Sequence, residues 1–265
     1  MAAKLENRSL DRAITILEVL AREAPCTLHQ LHERTRLPKS TIRRLMGTLK
    51  EHHFVRQGIS DGLYSANIAL PWAADREFTA TAARLVEVAL PHMSRLTETV
   101  QWPSNLLIQR SGRMSVIEST RSLGPFGLDA VRKVERDVSI FASAAGRAYL
   151  ASLKDAEILS LVRSQQDDPH WGLSRFGIGE KALLREVADI RKKGWAPRRP
   201  GYATRPISSK FIAIAVSIGD GRRPVGAVTL FWPRRYLAVE PFARQYADEL
   251  KATAAAISAD LAKLP

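Results

Sequence analysis

From Leu37 the chain reads LPKSTIRRLMGTLKEH, in which Ile42, Leu45, Met46 and Leu49 fall at helical spacing. Lys39, Ser40, Thr41, Arg43 and Arg44 take the positions between them, so one face is apolar and the other short, polar and basic. Pro38 suits the first position of this helix, where a missing N–H costs nothing, and the helix is expected to reach about His52. Two helices are predicted ahead of it. The first is expected over Ser9 to about Arg22, capped by Ser9, with Leu10, Ile14, Leu17, Leu20 and Ala21 as its apolar stripe. After Pro25, Thr27 opens the second, with Gln30 in capping-box position and Leu28 and Leu31 inward. Thr35-Arg36-Leu37 form the turn between the second helix and the third. Beyond, Phe54–Gln57 and Leu63–Ala66 are strand candidates around Gly58–Gly62, where Ser60-Asp61-Gly62 makes a turn. Three short helices and a hairpin describe a winged helix-turn-helix.

Periodicity is lost from about Asn67 to Arg76, and a long helix is expected over Thr79–Thr97 with Leu85, Val86, Ala89, Leu90, Met93 and Leu96 buried. Pro91 should kink or divide it. Strand-like runs follow: WPSNLLIQ from Trp102, RMSVIES from Arg113, KFIAIAVSI from Lys210 and VGAVTLFW from Val225. The last two flank Gly219-Asp220-Gly221, a hairpin signal lengthened by Arg222, Arg223 and Pro224. Helical patterns lie at Ala144–Leu153, Asp155–Ser164, Lys181–Lys193 and Pro241–Leu261. Strands and helices mixed around long connections predict an α+β domain with an antiparallel sheet. The expected division is a winged helix-turn-helix at residues 1–70, a linker and long helix at 71–98, and a second domain at 99–265.

Composition narrows the class. A chain of 265 residues with 45% hydrophobic content can bury a sizeable core. No apolar run reaches about 18 residues, so no membrane partner is expected. The N-terminal stretch has no apolar segment of a signal peptide, and a single cysteine, Cys26, can form neither an internal disulfide nor, alone, a zinc site. A cytoplasmic location fits. No G-x-S-x-G or Walker loop is present; Gly177-Ile178-Gly179 lacks a third glycine and a preceding strand; His29 and His32 have no third ligand nearby. Catalysis, a metal and a cofactor are therefore not expected.

Charge adds more by position than by its total of +13. Between Arg34 and Arg56 seven basic residues face one acid, Glu51. A helix entering the major groove needs short side chains for close approach and Lys or Arg for guanines and phosphates. Lys39, Ser40, Thr41, Arg43 and Arg44 supply these, and Arg56 lies in the wing. The bland alternative is a solvated charged face; the preceding helix, the turn and the hairpin favour double-stranded DNA. A ligand-sensing or protein-interaction module whose helix-turn-helix reads no DNA is the rival. A second basic zone, Arg191 to Arg235, holds eleven Lys/Arg against Asp220 alone, and solvated surface is its default reading.

The segment SLDRAITILEVLAREAPCTLHQLHERTRLPKSTIRRLMGTLKEHHFV resembles the N-terminal domain of IclR-type bacterial transcriptional regulators. It departs from that family at the turn, where Arg36 stands in place of the usual Gly. LTETV at Leu96, FASAAGRAYLASL at Phe141 and the hairpin IAIAVSIGDGRRPVGAVTLFW extend the resemblance over nearly the whole chain. It implies a GAF-like effector-binding domain, a homodimer or homotetramer, operator DNA as one partner and a small carboxylic acid as the other. The wording VQWPSNLLIQRSGRMSVIESTRS is most similar to the branch activating 3-(3-hydroxyphenyl)propionate catabolism.

Phe141–Arg147 reads as a loop entering a helix, and free N–H groups at a helix start favour a carboxylate. Its Ala and Gly residues serve equally to pack that helix on the sheet. The resemblance places the effector carboxylate at Ala144 and Ala145, and has Tyr202, Ile212, Thr229 and Phe231 line the pocket. Strand alternation puts Val225, Ala227, Thr229 and Phe231 on one face, with Thr229 either bonding neighbouring backbone or meeting a ligand hydroxyl. Trp102 and Phe126 are wall or ordinary core. Tyr, Ile and Phe in such a lining suit a flat, aromatic acid. Arg147 stands near the helix start or points to solvent.

Overall fold

A computed structural model describes residues 7–23, 25–58, 61–67, 76–123, 137–203 and 209–264. The chain forms two compact units, Met1–Thr81 and Ala82–Pro265.

The first unit holds α1 (Arg8–Glu23), α2 (Leu28–Thr35), α3 (Lys39–Glu51), β1 (Val55–Gln57) and β2 (Tyr64–Ala66). Ile16, Leu20, Cys26, Leu31, Ile42, Met46, Leu49 and Val55 close a core among them. Each Ile or Leu removed from water there contributes about 1.5–3 kcal/mol. The capping box on α2 is present: Gln30 N–H donates to Thr27 Oγ1 at 3.1 Å and Thr27 N–H to Gln30 Oε1 at 2.7 Å. The wing pairs antiparallel, Val55 opposite Ala66 and Arg56 opposite Ser65. Cys26 and Tyr64 exchange backbone hydrogen bonds of 2.9 and 2.8 Å, tying the start of α2 to the wing. Ser60 of the expected turn lies outside the described residues.

For the first helix one expectation fails and another holds in part. Asn7, not Ser9, caps it, its Oδ1 accepting from the Ser9 and Leu10 N–H groups. Of the expected stripe Leu20 is buried and Leu17 packs against the core, but Leu10 and Ile14 are 58% and 42% exposed and Ile16 takes the inward place. Pro38 stands one place ahead of α3, as its N-cap.

The unit boundary falls inside α4 (Arg76–Val100), which Pro91 does not divide. Leu85, Ala89, Met93, Leu96 and Val100 are buried, but Leu90 is exposed, contrary to expectation. The second unit is built on six strands: β3 (Ser104–Arg110), β4 (Arg113–Ser119), β5 (Asp137–Ser139), β6 (Ala196–Pro197), β7 (Phe211–Gly219) and β8 (Pro224–Pro233). They pair antiparallel in the order β5-β4-β3-β8-β7-β6. The short β5 and β6 carry too few residues to show alternation in sequence. The helices α5 (Ala144–Ala151), α6 (Asp155–Ser164), α7 (Glu180–Lys193) and α8 (Val239–Leu261) complete the α+β unit.

Each face of the sheet has its own cover. Ala144 and Ala148 of α5 cluster with Ala215 of β7, and Ala145 with Ala227 of β8 and Leu107 of β3. On the opposite face Trp232 stacks on Phe242 of α8, ring centroids 3.4 Å apart and 4° from parallel. Gly146 lets the first turn of α5 close against the segment leading into it, since a Cβ there would collide with the Ile140 backbone. On the sheet itself the packing role falls to the alanines of α5.

Candidate functional sites

On α3, Ile42, Met46 and Leu49 are buried while Lys39, Ser40, Arg43 and Arg44 are exposed and Thr41 is half-buried. The positive charges on this face have no acidic partner among the described residues. Arg56 is exposed on β1, and Lys50 Nζ donates to Gln57 Oε1 at 3.1 Å, joining the end of α3 to the wing. The turn is held by His32 Nδ1 against Leu37 O at 2.7 Å. Arg36 adopts φ 56, ψ 15, and its N–H donates to His32 O at 2.8 Å. The glycine conformation is thus kept without glycine, at a cost of roughly 1 kcal/mol. By contrast, Arg34 in the same basic zone forms an ion pair with Glu23.

The proposed effector residues divide between the two faces of the sheet. Thr229 lies opposite Ala215 and Phe231 opposite Ala213 across β7–β8, and Asn105 lies opposite Thr229 across β3–β8. These share the α5 face with Ala144 and Ala145. Ile212 does not: it pairs with Trp232, so its side chain is on the α8 face. Trp102 also belongs there, its ring 4.6 Å from Tyr236 and 6.0 Å from Phe242. Trp102 thus takes the core alternative, and the Ile212 that the resemblance placed in the lining is put on the other face by strand pairing. Alternation along one strand says which residues share a face, but the pairing alone says which face of the neighbour joins them. Phe126 lies outside the described residues.

Tyr202 has a positioning contact: its hydroxyl accepts a hydrogen bond from Ser139 N–H at 2.7 Å, in the segment leading to α5. Thr229 is 5% exposed, and its hydroxyl bonds no neighbour among the described residues. Ser143 caps α5, accepting from Gly146 N–H at 3.0 Å. Ala144 and Ala145, 3% and 1% exposed, follow as the first two helical residues. Neither N–H finds an acceptor among the described residues, and buried N–H groups in that state call for a partner. Sequence reading missed Asn105, Ser119 and Arg121. Ser119 Oγ donates to Asn105 Oδ1 at 2.7 Å, and the Arg121 guanidinium sits 5.1 Å from the Phe231 ring centroid. Isolated polar residues in a strand give no sequence signal until pairing places them beside Thr229.

Most cations of the second basic zone are exposed, as expected, Lys192, Arg222, Arg223, Arg234 and Arg235 among them, but some are tied into ion pairs. Arg199 and Arg147 both bond Glu186, Arg147 Nη2 at 3.0 Å, and Arg147 Nη1 donates to Pro197 O at 2.6 Å. Arg147 is 8% exposed and does not point to solvent. Burial lowers its pKa, Glu186 opposes that shift and Arg199 adds to it. Arg191 binds Asp155, and Lys193 binds Glu240, each at 2.9 Å. The acids come from distant parts of the chain. At the β7–β8 turn the backbone N–H groups of Arg223 and Arg222 hold the Asp220 carboxyl below the usual carboxylate range.

Residues 9–58 match the IclR helix-turn-helix domain, and residues 78–259 match the C-terminal domain of the bacterial transcriptional regulator IclR. The chain belongs to the IclR family. It is a DNA-binding transcriptional regulator and not an enzyme. The transcriptional regulator BhcR of Paracoccus denitrificans is 28% identical over 207 residues, 73% of this chain and 69% of that protein. The acetate operon repressor of Salmonella typhimurium is 24% identical, over 71% and 68% of the respective chains. Among solved structures, an IclR homolog of Microbacterium hydrocarbonoxydans complexed with 4-hydroxybenzoate shares the fold (TM-score 0.56, 24% identity, 97% and 100% coverage). So does Thermotoga maritima IclR (TM-score 0.56, 19% identity, 96% and 98% coverage). None of these names carries the hydroxyphenylpropionate assignment. No helix among the described residues is long and apolar enough to cross a membrane.

Proposed function

We propose that this IclR-family regulator is a cytoplasmic homodimer or homotetramer that reads operator DNA through the outer face of α3 and responds to an aromatic carboxylic acid at the start of α5. In the first site Ser40, Arg43 and Arg44 meet base edges, while Lys39, Thr41 and the wing residue Arg56 meet phosphates. In the second, the Ala144 and Ala145 N–H groups take the carboxylate, Phe231 contacts the ring and Thr229 meets a hydroxyl. Tyr202 holds the segment leading into α5. Ile212 and Trp102 have no place in this pocket.

The observation that carries the acid reading is the pair of buried N–H groups at the start of α5, on the sheet face that also carries the Thr229 hydroxyl, unpaired among the described residues. A carboxylate satisfies both donors and gains from the positive end of the helix. The relative complexed with 4-hydroxybenzoate supports an aromatic ligand of the hydroxy-acid type, the class to which 3-(3-hydroxyphenyl)propionate also belongs. Residues 71–98 act as linker and long helix, through which acid binding biases the presentation of two helix-turn-helix heads. Only an acid with different affinity for two arrangements can do so. Calorimetric titration with a panel of aromatic and aliphatic acids tests the reading. A hydroxylated aromatic acid is expected to bind; binding of glyoxylate or pyruvate without any aromatic acid overturns it.

A further inference from the structure

We infer that Gly47 is the close-approach point of α3, where the missing side chain lets the helix settle against base edges of the operator. The inference rests on the DNA-docking reading above and assigns a further residue to it. Gly47 is the ninth residue of the thirteen in α3 and is exposed. Helical geometry sets it three residues after Arg44 and four after Arg43, in the middle of the face that also carries Ser40. After proline, glycine is the poorest residue for a helix interior, so its presence there asks for a reason.

The fold supplies none. A Cβ built on Gly47 meets nothing within 4 Å among the described residues, and its φ is not positive. Other glycines of the chain have internal reasons. Gly146 and Gly226 face backbone atoms that a Cβ would strike. Gly62, Gly112, Gly177, Gly194, Gly201 and Gly221 are left-handed. Gly179 is the N-cap of α7, a position where glycine is accepted. Gly47 alone among the glycines within these helices is free of protein constraint, and the surface it clears is the one flanked by unpaired arginines. A gap of that kind matches a groove floor approached more closely than a side chain permits, so the effect belongs to operator recognition rather than to general phosphate attraction.

The test measures full-length Gly47→Ala and Gly47→Leu on a duplex from the chain's own upstream region and on a random-sequence duplex of equal length. Arg43→Ala and Arg44→Ala run beside them at one salt concentration. Both glycine variants are expected to leave the thermal midpoint unchanged or raise it, because each improves helix propensity. Upstream affinity is expected to fall about tenfold for Ala and about a hundredfold for Leu, with random-duplex affinity nearly constant. If Gly47→Leu binds like wild type while the arginine variants weaken, the inference fails and the docking face stands. If all four bind like wild type, both fail. Equal loss for Ala and Leu, or equal loss on both duplexes, also overturns it, because clearance from base edges must scale with side-chain size and depend on sequence.

Discussion

Two stretches of this chain are similarly rich in arginine and lysine, and the structure pairs the cations of the two to different extents. Around α3 the charges are exposed and, at Lys39, Arg43, Arg44 and Arg56, lack acidic partners among the described residues. In the second, Arg191, Lys193 and Arg199 close onto Asp155, Glu240 and Glu186, the last shared with Arg147 of α5, while Arg222, Arg223, Arg234 and Arg235 stay exposed. The lesson is that charge density within a sequence window does not identify an interface. What does is whether acids from elsewhere in the fold reach those charges. Free cations on a surface keep their field for an outside polyanion, whereas paired ones spend it on holding helices together.

The largest effect that would break this contrast is expected at Glu186. Glu186→Ala leaves the mostly buried Arg147 and Arg199 guanidiniums without their shared carboxylate, and urea unfolding should show a loss of about 2–4 kcal/mol. A loss near zero would mean that these arginines are as free as those on α3. Next come Arg43→Ala and Arg44→Ala, each expected to weaken operator binding by about 1–3 kcal/mol with unfolding unchanged. Ala144→Pro sharpens the comparison at the acid site. Proline is tolerated at the first helical position, and Ser143 already has the extended backbone (φ −71, ψ 154) that proline asks of its predecessor. It deletes one N–H donor and should weaken acid binding by about 1.5 kcal/mol in calorimetry, while Arg147 stays committed to Glu186.

Smaller effects follow. Arg36→Gly relieves a left-handed arginine and should stabilise the helix-turn-helix unit by about 0.5–1 kcal/mol in thermal unfolding, less what glycine loses through unfolded-chain entropy. Asp220 has a depressed folded pKa, so its contribution is present above the unfolded value and is lost as pH falls through the folded one. Asp220→Asn should remove that acid-side component, under about 0.5 kcal/mol for so exposed a turn.

Much of the first unit was legible because a short helix must bury one face: Ile42, Met46 and Leu49 fall where spacing puts them, and Thr27–Gln30 close the expected box. The first helix was read in part: Leu17 and Leu20 face the core as expected, but Leu10 and Ile14 give way to Ile16, a choice that only the position of the neighbouring helices decides. In the second unit the run RMSVIES gave β4 to the residue, and the alternation on β8 held. The resemblance set Ile212 beside Phe231, and only the pairing of Ile212 with Trp232 across β7–β8 shows that it lies on the other face. Asp155, Glu186 and Glu240 were invisible as partners because they lie 36, 13 and 47 residues from the cations they bind.

The most direct measurement compares the salt dependence of upstream-duplex binding for the full chain and for the Arg43→Ala, Arg44→Ala double variant. The account expects a steep fall in affinity with salt for the wild type and a slope shallower by up to about two charges for the variant, with specific binding lost. Identical slopes and affinities for the two proteins would contradict it.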